Sequence, residues 1–279
     1  MSAPFVLITG ATRGIGAAAA VALAARGAEV AIVGREPARV RAVADQARGA
    51  DGGAVVHEHV ADLTSVAEVR RLAAEVLERH PRIDVLANNA GAMFTARHTT
   101  ADGFEQTFAL NHLAPFLLTA LLRERLAADG GGRVVTTASD AHGAGDLDLD
   151  DLQFERRPFR AMRVYGTTKL MNILFTRELA RRAGGEGITA TCFHPGVVRT
   201  GFGKNDGPLY RVALTAAGPF LRSPAKGARS LVWLALDPAL SGVYVVDEQV
   251  KPPSAAARDD VLAQGLWERT EALVAATAG

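Results

Sequence analysis

The sequence predicts an α/β protein built on a single doubly wound parallel sheet flanked by helices on both faces. Two observations carry this. Short β-branched runs alternate with longer helical patterns along all 279 residues, and glycine clusters fall where the helices should stop before the next strand. Strands and helices at this spacing form βαβ units, and right-handed crossovers wind them into one Rossmann-like sheet with ligands at the carboxyl ends of its strands. A chain of this length suits one large domain, residues 1–279.

The first strand is expected at 5–9 (Phe-Val-Leu-Ile-Thr), and a glycine cluster leads into a helix at 15–25. A strand at 29–33 and a helix at 37–48 follow, then a strand at 54–59 and a helix at 65–79. The strand at 85–88 runs into Asn88-Asn89-Ala90-Gly91, ahead of a long helix at 101–128. Gly130-Gly131-Gly132 stops that helix before a strand at 133–138. Gly184-Gly185-Glu186-Gly187 likewise ends a helix at 164–183 before a strand at 189–194. A helix at 224–236, a strand at 243–246 and a helix at about 255–274 complete the set.

Two segments break the rhythm, and both begin just after strands, on the ligand side. Residues 140–163 are rich in acids (Asp146, Asp148, Asp150, Asp151), and 201–223 mix Gly and Pro with large apolar side chains. Long loops in compact domains are often functional. The second is expected to be a substrate lid, since Phe202, Leu209, Tyr210, Leu214, Phe220 and Leu221 need something to cover. An amphipathic helix packed permanently on the core is the alternative.

Formal net charge is +1, from 31 Lys and Arg against 30 Asp and Glu. That gives no electrostatic case for nucleic acid or an anionic membrane surface. Cys192 is the only cysteine, so intramolecular disulfides are impossible, which suits a reducing compartment. Its setting, Thr-Ala-Thr-Cys-Phe-His, reads as a buried strand. No window of about twenty apolar residues lacks charges, and no signal pattern precedes the first strand. A cytoplasmic protein with no membrane anchor is expected.

Gly10, Gly14 and Gly16 follow a strand and open a helix, the context of a dinucleotide phosphate loop. The spacing is G-x-x-x-G-x-G, with Thr12, Arg13 and Ile15 inside it. One glycine allows the tight turn, one lets backbone approach the pyrophosphate, and one permits close helix–sheet packing. The second strand ends Val33-Gly34-Arg35-Glu36, with no acid at its tip for a ribose 2′-hydroxyl. Arg35 and Arg13 suit a 2′-phosphate dianion, so NADP(H) is favoured, while Glu36 keeps NAD(H) open. Asp62 is placed to bind the adenine amino group or to cap the helix starting near Ser65. Asn89, Ala90 and Gly91 suit a turn with backbone near the ligand.

Tyr165 and Lys169 lie four apart, on one helix face, and a phenol beside an ammonium makes a proton-transfer unit. A free tyrosine titrates near ~10, so work near neutral pH needs help of ~3 units, about 4 kcal/mol. A neighbouring lysine and a cationic nicotinamide both favour the phenolate. Ser139 ends the fifth strand, where a hydroxyl can stabilise developing alkoxide charge.

Together these motifs resemble the short-chain dehydrogenase/reductase family. The resemblance runs from Thr9-Gly10 through Gly14-Ile15-Gly16, Asp62, Asn88-Asn89-Ala90-Gly91, Asn111, Ser139, Tyr165, Lys169 and Pro195-Gly196. Within that family the chain looks most like the retinol-dehydrogenase-like branch, on segments such as Asn111-His112-Leu113-Ala114-Pro115-Phe116 and His194-Pro195-Gly196. The resemblance implies Tyr165 as general acid in carbonyl reduction and base in alcohol oxidation. It implies Ser139 as a hydrogen-bond donor to the substrate oxygen and Lys169 as the residue that lowers the tyrosine pKa and holds the nicotinamide ribose. Asn111 is implied in a water-linked proton relay through Lys169. Cofactor contacts are implied at Leu63, Pro195, Gly196, Val198 and Thr200. Ala138 departs from the pattern, since relatives often carry a second serine there. His142 and His194 lie near the site without metal-ligand spacing, and no metal is expected.

The expected function is interconversion of a carbonyl and an alcohol on an apolar small-molecule substrate, with bulky apolar aldehydes or ketones preferred over small polar ones. A non-catalytic dinucleotide sensor could use the same fold. So, with a larger substrate domain, could a sugar-nucleotide epimerase or dehydratase, but its phosphate loop spaces the glycines differently. A homo-oligomer is possible, or the tail around Trp267 covers a face instead.

Overall fold

The computed structural model describes residues 3–50, 53–198, 221–236 and 240–277. Seven strands are parallel: β1 (Phe5–Thr9), β2 (Glu29–Gly34), β3 (Val56–Val60), β4 (Val85–Asn88), β5 (Arg133–Thr137), β6 (Thr189–His194) and β7 (Val243–Val246). A short β8 (Gln249–Lys251) pairs antiparallel with β7. The order is β3-β2-β1-β4-β5-β6-β7-β8. The winding therefore reverses between β1 and β4, and a crevice opens there at the carboxyl ends.

Helices α1 (Gly14–Ala24), α2 (Pro37–Ala50) and α6 (Pro224–Leu236) cover one face. Helices α3 (Val66–Arg79), α4 (106–127), α5 (Ala161–Ala183) and α7 (Asp260–Ala276) cover the other. Alternation along β1 assigns the faces: Phe5 and Leu7 join the second core, Val6 and Ile8 the first. Helix α4 begins at Gln106–Phe108, widens into a π turn at Ala109–Leu113 and continues as Ala114–Ala127.

The expected start of α4 at 101 is corrected by a buried carboxylate. Glu105 accepts hydrogen bonds from Thr107 N (2.8 Å) and Phe108 N (2.7 Å), so the helix begins after it. The residues before it fold back, with an antiparallel bridge between Thr99 and Glu105. Asp102 is spent on another helix, accepting from Val66 N of α3 at 2.9 Å. The last helix also starts later than expected, because Asp259 caps it through Leu262 N (2.9 Å). The β8 strand carries no apolar alternation, all three residues being exposed, and was not expected.

Cys192 is buried on β6, as expected, and burial pushes its thiol up to about 12. Thr200 and nearly all of the expected lid at 201–223 lie outside the described residues. The residues flanking that segment are tied together: Val198 bridges Arg222, whose N–H donates to Val197 O at 2.8 Å. Among the described residues no helix is long and apolar enough to cross a membrane.

Helix α7 covers α4 and α5. Trp267 stacks on Phe175 with centroids 5.9 Å apart and meets Phe116 edge-on at 4.8 Å. His112, in the π turn, is buried beneath α7 and hydrogen-bonds Thr270 Oγ1 through Nε2 at 3.0 Å. Thr270 donates its own proton to Leu266 O (2.7 Å), so it accepts from His112 Nε2–H. Desolvation holds His112 neutral, its pKa brought down to about 3.

A depressed histidine makes the unfolded chain bind more protons than the folded one between the two pKa values, so stability rises with pH across that window. Between pH 7 and pH 5 the parent should lose about 2 kcal/mol through His112 alone. His112→Phe should lose correspondingly less over the same range, as read by urea unfolding at both pH values.

Candidate active site

The carboxyl ends of β1, β4 and β5 bring three of the expected segments together. Gly10 leaves β1 with φ of 64°, and a Cβ there would lie 2.6 Å from Ala90 Cα. A Cβ on Gly16 would lie 2.5 Å from both Gly10 O and Asn89 Nδ2. The glycine loop therefore lies directly on the turn after β4, and side chains at these positions would separate the two. The hydroxyl of Thr9 accepts from Asn89 N (3.0 Å) and Ala90 N (3.1 Å). Asn89 Nδ2 answers by donating to Thr9 O (3.0 Å) and Gly10 O (3.3 Å).

Arg13 stands at the cap position of α1 with extended backbone and no side-chain cap, and no acid lies in the first turn. The unpaired N–H groups of that turn suit an anion. Ile15 and Val198 both pack at Gly227 of α6, where a Cβ would lie 3.3 Å from Ile15 Cγ1 and 2.6 Å from Val198 Cγ2. Thr12 packs on Gly34 at the tip of β2, leaving no room for a side chain there.

Next along the crevice, the tips of β2 and β3 bring Arg35 and Asp62 to 4.0 Å, with Arg35 65% exposed. Glu36 instead pairs with Arg39 at 2.8 Å. Asp62 does not cap α3. Its Oδ1 accepts from Thr64 N (3.0 Å) and Thr64 Oγ1 (2.8 Å), and Ser65 is the cap, through Glu68 N. The side chain of Leu63 is buried in the core, so only its backbone can face a ligand.

Lys169 and Tyr165 share a face of α5, with Lys169 Nζ 5.6 Å from the centre of the Tyr165 ring. Lys169 is 2% exposed and donates to Thr137 O at 2.9 Å. Burial alone brings its pKa down to about 8. Gly91 faces it, a Cβ there falling 3.3 Å from Nζ and from Asn111 Oδ1. The π turn aims Asn111 at the loop after β4: Oδ1 accepts from Ala92 N (2.9 Å), and Nδ2 donates to Ala92 O (2.9 Å) and Thr168 Oγ1 (3.0 Å).

Ser139 caps a 3₁₀ turn, Asp140–Ala144, its Oγ accepting from Ala141 N at 3.2 Å. An accepting hydroxyl keeps its own proton to donate. Gly166 brings α5 against this turn, since a Cβ there would lie 2.5 Å from Ala141 O. Ser139 and Tyr165 are thereby placed on adjoining elements. Behind them, Asp140 N donates to His194 Nδ1 (3.2 Å), and Tyr244 OH donates to Asp140 Oδ1 (2.6 Å). His142 bridges Ser139 O (2.7 Å) and Ser254 N (3.0 Å). His194 precedes Pro195, which is buried, and Gly196, whose φ is 78°.

Sequence reasoning missed Thr9, Thr137, Asp140, Thr168, Asn172 and Tyr244 as members of this framework. Only Thr9 and Thr137 carried a signal, as hydroxyls at the carboxyl ends of central strands. The arrangement can hold an anion at the α1 N-terminus and a ribose carrying a 2′-hydroxyl or a 2′-phosphate near Arg35 and Asp62. It can also move a proton at Tyr165.

A family profile described as short chain dehydrogenase matches residues 4–209. A proposed daunorubicin C-13 ketoreductase, DnrU, of Streptomyces sp. strain C5 is 47% identical, covering 98% of this chain and 93% of its own. Retinol dehydrogenase 13 of Homo sapiens is 38% identical over 96% of this chain and 84% of its own. Among solved structures, a short-chain dehydrogenase from Sphingobium yanoikuyae in complex with NADPH is 28% identical, with a TM-score of 0.69 and 95% of each chain covered.

Gly16→Ala should cost roughly 1–3 kcal/mol, since the methyl meets backbone at Gly10 and cannot swing aside. Denaturant unfolding should show the loss, and NADPH titration should show weaker binding because Asn89 is pushed off the loop.

Proposed function

The chain belongs to the short chain dehydrogenase family, and we propose that it uses NADP(H) to interconvert an apolar carbonyl compound and its alcohol, with Tyr165 moving the proton. It is an oxidoreductase of the class that acts on carbonyl and CH–OH groups. The observation that carries the finer reading is the buried Lys169 ammonium on the Tyr165 face of α5, with no carboxylate among the described residues bonded to it. A buried cation so placed lowers the cost of a phenolate nearby.

A nicotinamide cofactor held here would supply or accept the hydride. Tyr165 gives its proton to the substrate oxygen in reduction and takes it back in oxidation. Ser139, its Oγ already accepting from Ala141 N, donates to the same oxygen. Lys169 supports the phenolate and, on the Gly91 side, is placed to hold the ribose. Both amide protons of Asn111 are engaged, by Ala92 O and Thr168 Oγ1, and its Oδ1 already accepts from Ala92 N. Its part in a proton relay therefore falls to the π-turn backbone, where the wider turn changes which carbonyls are paired.

NADP(H) is supported by Arg35, free of Glu36, and by the NADPH held in the Sphingobium relative. An apolar substrate is supported by the relative named for retinol, an alcohol on a hydrocarbon skeleton, and carbonyl chemistry by the relative named a C-13 ketoreductase. The competing reading is a dinucleotide sensor without turnover.

Tyr165→Phe should lower kcat by orders of magnitude while leaving the NADPH dissociation constant nearly unchanged, because the ring keeps its packing. Lys169→Ala should damage both. A panel of apolar aldehydes and ketones, followed by NADPH oxidation, checks this; near-parental turnover in the Phe variant removes Tyr165 from the mechanism, and no turnover in the parent favours the sensor.

Arg35→Ala should weaken NADPH about ten- to a hundred-fold, the worth of a charge-assisted hydrogen bond of roughly 1.5–3 kcal/mol, and NADH far less. Fluorescence titration with both cofactors separates the two. An equal loss for both would contradict a role for Arg35 at the 2′-phosphate.

A further inference from the structure

A second cluster of chemistry-bearing side chains lies at the amino-terminal edge of the sheet, away from the crevice. Glu29 opens β2, His57 sits near the start of β3, and His80 closes α3. One ligand-capable atom from each of Glu29, His57 and His80 lies within 4.8 Å of the other two. His57 Nε2 is 2.7 Å from Glu29 Oε1, and the His57 and His80 rings meet edge-on with centroids 4.6 Å apart. We infer that Glu29, His57 and His80 form a binding site for a divalent transition-metal ion of the zinc class.

Two imidazoles and one carboxylate are a donor set suited to zinc, cobalt, nickel or copper and poorly suited to magnesium or calcium. Three protein ligands leave a fourth position for water. That water has access, since the side chains of His57 and Glu29 are 26% and 36% exposed.

A supporting relay stands behind the site. His80 Nε2 lies 3.0 Å from His59 Nε2, and His59 Nδ1 lies 2.9 Å from Glu75 Oε1. Glu75 is ion-paired with Arg79 (2.7 Å) and Arg71 (3.1 Å), and its carboxylate only accepts. His59 then carries its proton on Nδ1, and its Nε2 accepts from His80 Nε2–H. The lone pair of His80 is left on Nδ1, the neutral form a metal requires. Ligand histidines are commonly oriented by a hydrogen bond from the other ring nitrogen to an acceptor, often a carboxylate. Here a second histidine stands between ligand and carboxylate.

Cations around the site are engaged: Arg79 by Glu75, Arg48 by Glu58 at 2.8 Å, Arg82 by Asp84 at 2.6 Å, and Arg125 by the backbone carbonyl of His80. Binding replaces the His57–Glu29 hydrogen bond, with His57 carrying its proton on Nδ1 instead. A metal here would staple β2, β3 and the end of α3. The other ends of those strands carry Arg35 and Asp62, Asp62 roughly 17 Å along from His57.

The full chain, stripped with EDTA and freed of chelator, is titrated with ZnCl2 and separately with MgCl2 while the thermal midpoint is followed. Bound metal per chain is measured after gel filtration. The expected result is one zinc per chain and a midpoint rise of about 5–10 °C at a hundredfold excess over Kd, with no rise for magnesium. His57→Ala, at a part-exposed position, should fold and lose both effects. Glu75→Gln should weaken zinc about 10–100-fold. His98→Ala, an exposed histidine elsewhere, should change nothing. No midpoint rise in the parent, or undiminished zinc binding in His57→Ala, overturns the assignment.

Discussion

Lys169 Nζ is buried at the end of β5 and donates to one backbone carbonyl, Thr137 O, at 2.9 Å. A charge in that position is costly unless fixed dipoles surround it. Thr137 supplies them and passes them on. Its carbonyl also accepts from Asn172 Nδ2 (3.2 Å), and its hydroxyl donates to Asn89 Oδ1 (3.4 Å). Asn89 in turn holds Thr9 O and Gly10 O. One polar chain thus runs from α5 across the ends of β5, β4 and β1 to the glycine loop. Hydrogen-bonded networks of this kind gain rigidity from the low dielectric, and here one member is incomplete, Asn172 Oδ1 being buried with no partner among the described residues. The Tyr165–Lys169 face and the glycine loop are therefore placed by the same set of bonds.

The π turn at Ala109–Leu113 is the other departure from regular structure that the site depends on. An uninterrupted α-helix would rotate Asn111 relative to Ala92, and the paired bonds to Ala92 N and O require its amide to lie flat against that backbone. The same turn carries His112 toward α7. A single inserted residue in the helical repeat thus serves the crevice on one side and the C-terminal helix on the other.

The strands, most of the helices and the glycine loop were legible because each obeys a local rule: β-branched runs, glycine stops, a strand–glycine–helix junction. What was not legible depended on partners distant in sequence. Glu105 resets the start of α4 only because it is buried with its own backbone amides. The π turn leaves no mark on the 3.6-residue period strong enough to see in a stretch as apolar as Ala109–Leu118. The Asp140–Tyr244 bond joins residues far apart in the chain. Asp62 was expected at the adenine or as the cap of α3, and the cap went to Ser65, a choice that rests on local loop geometry the sequence does not show.

The electrostatics at the tip of β2 follow from a residue one helical turn further on. Glu36 stands next to Arg35 in sequence, and left to itself it would neutralise that guanidinium or accept a ribose hydroxyl. Arg39 takes it at i,i+3 spacing, 2.8 Å away, at the start of α2. An exposed pair of this kind contributes little to stability, but it turns the carboxylate away from the crevice. Asp62 remains 4.0 Å from Arg35, with one oxygen already accepting two hydrogen bonds from Thr64. With Arg13 on the phosphate loop and Arg35 at the strand tip against Asp62 alone, the local balance is one positive charge. That balance suits the 2′-phosphate of the proposed NADP(H), and Arg39 contributes to it by engaging Glu36.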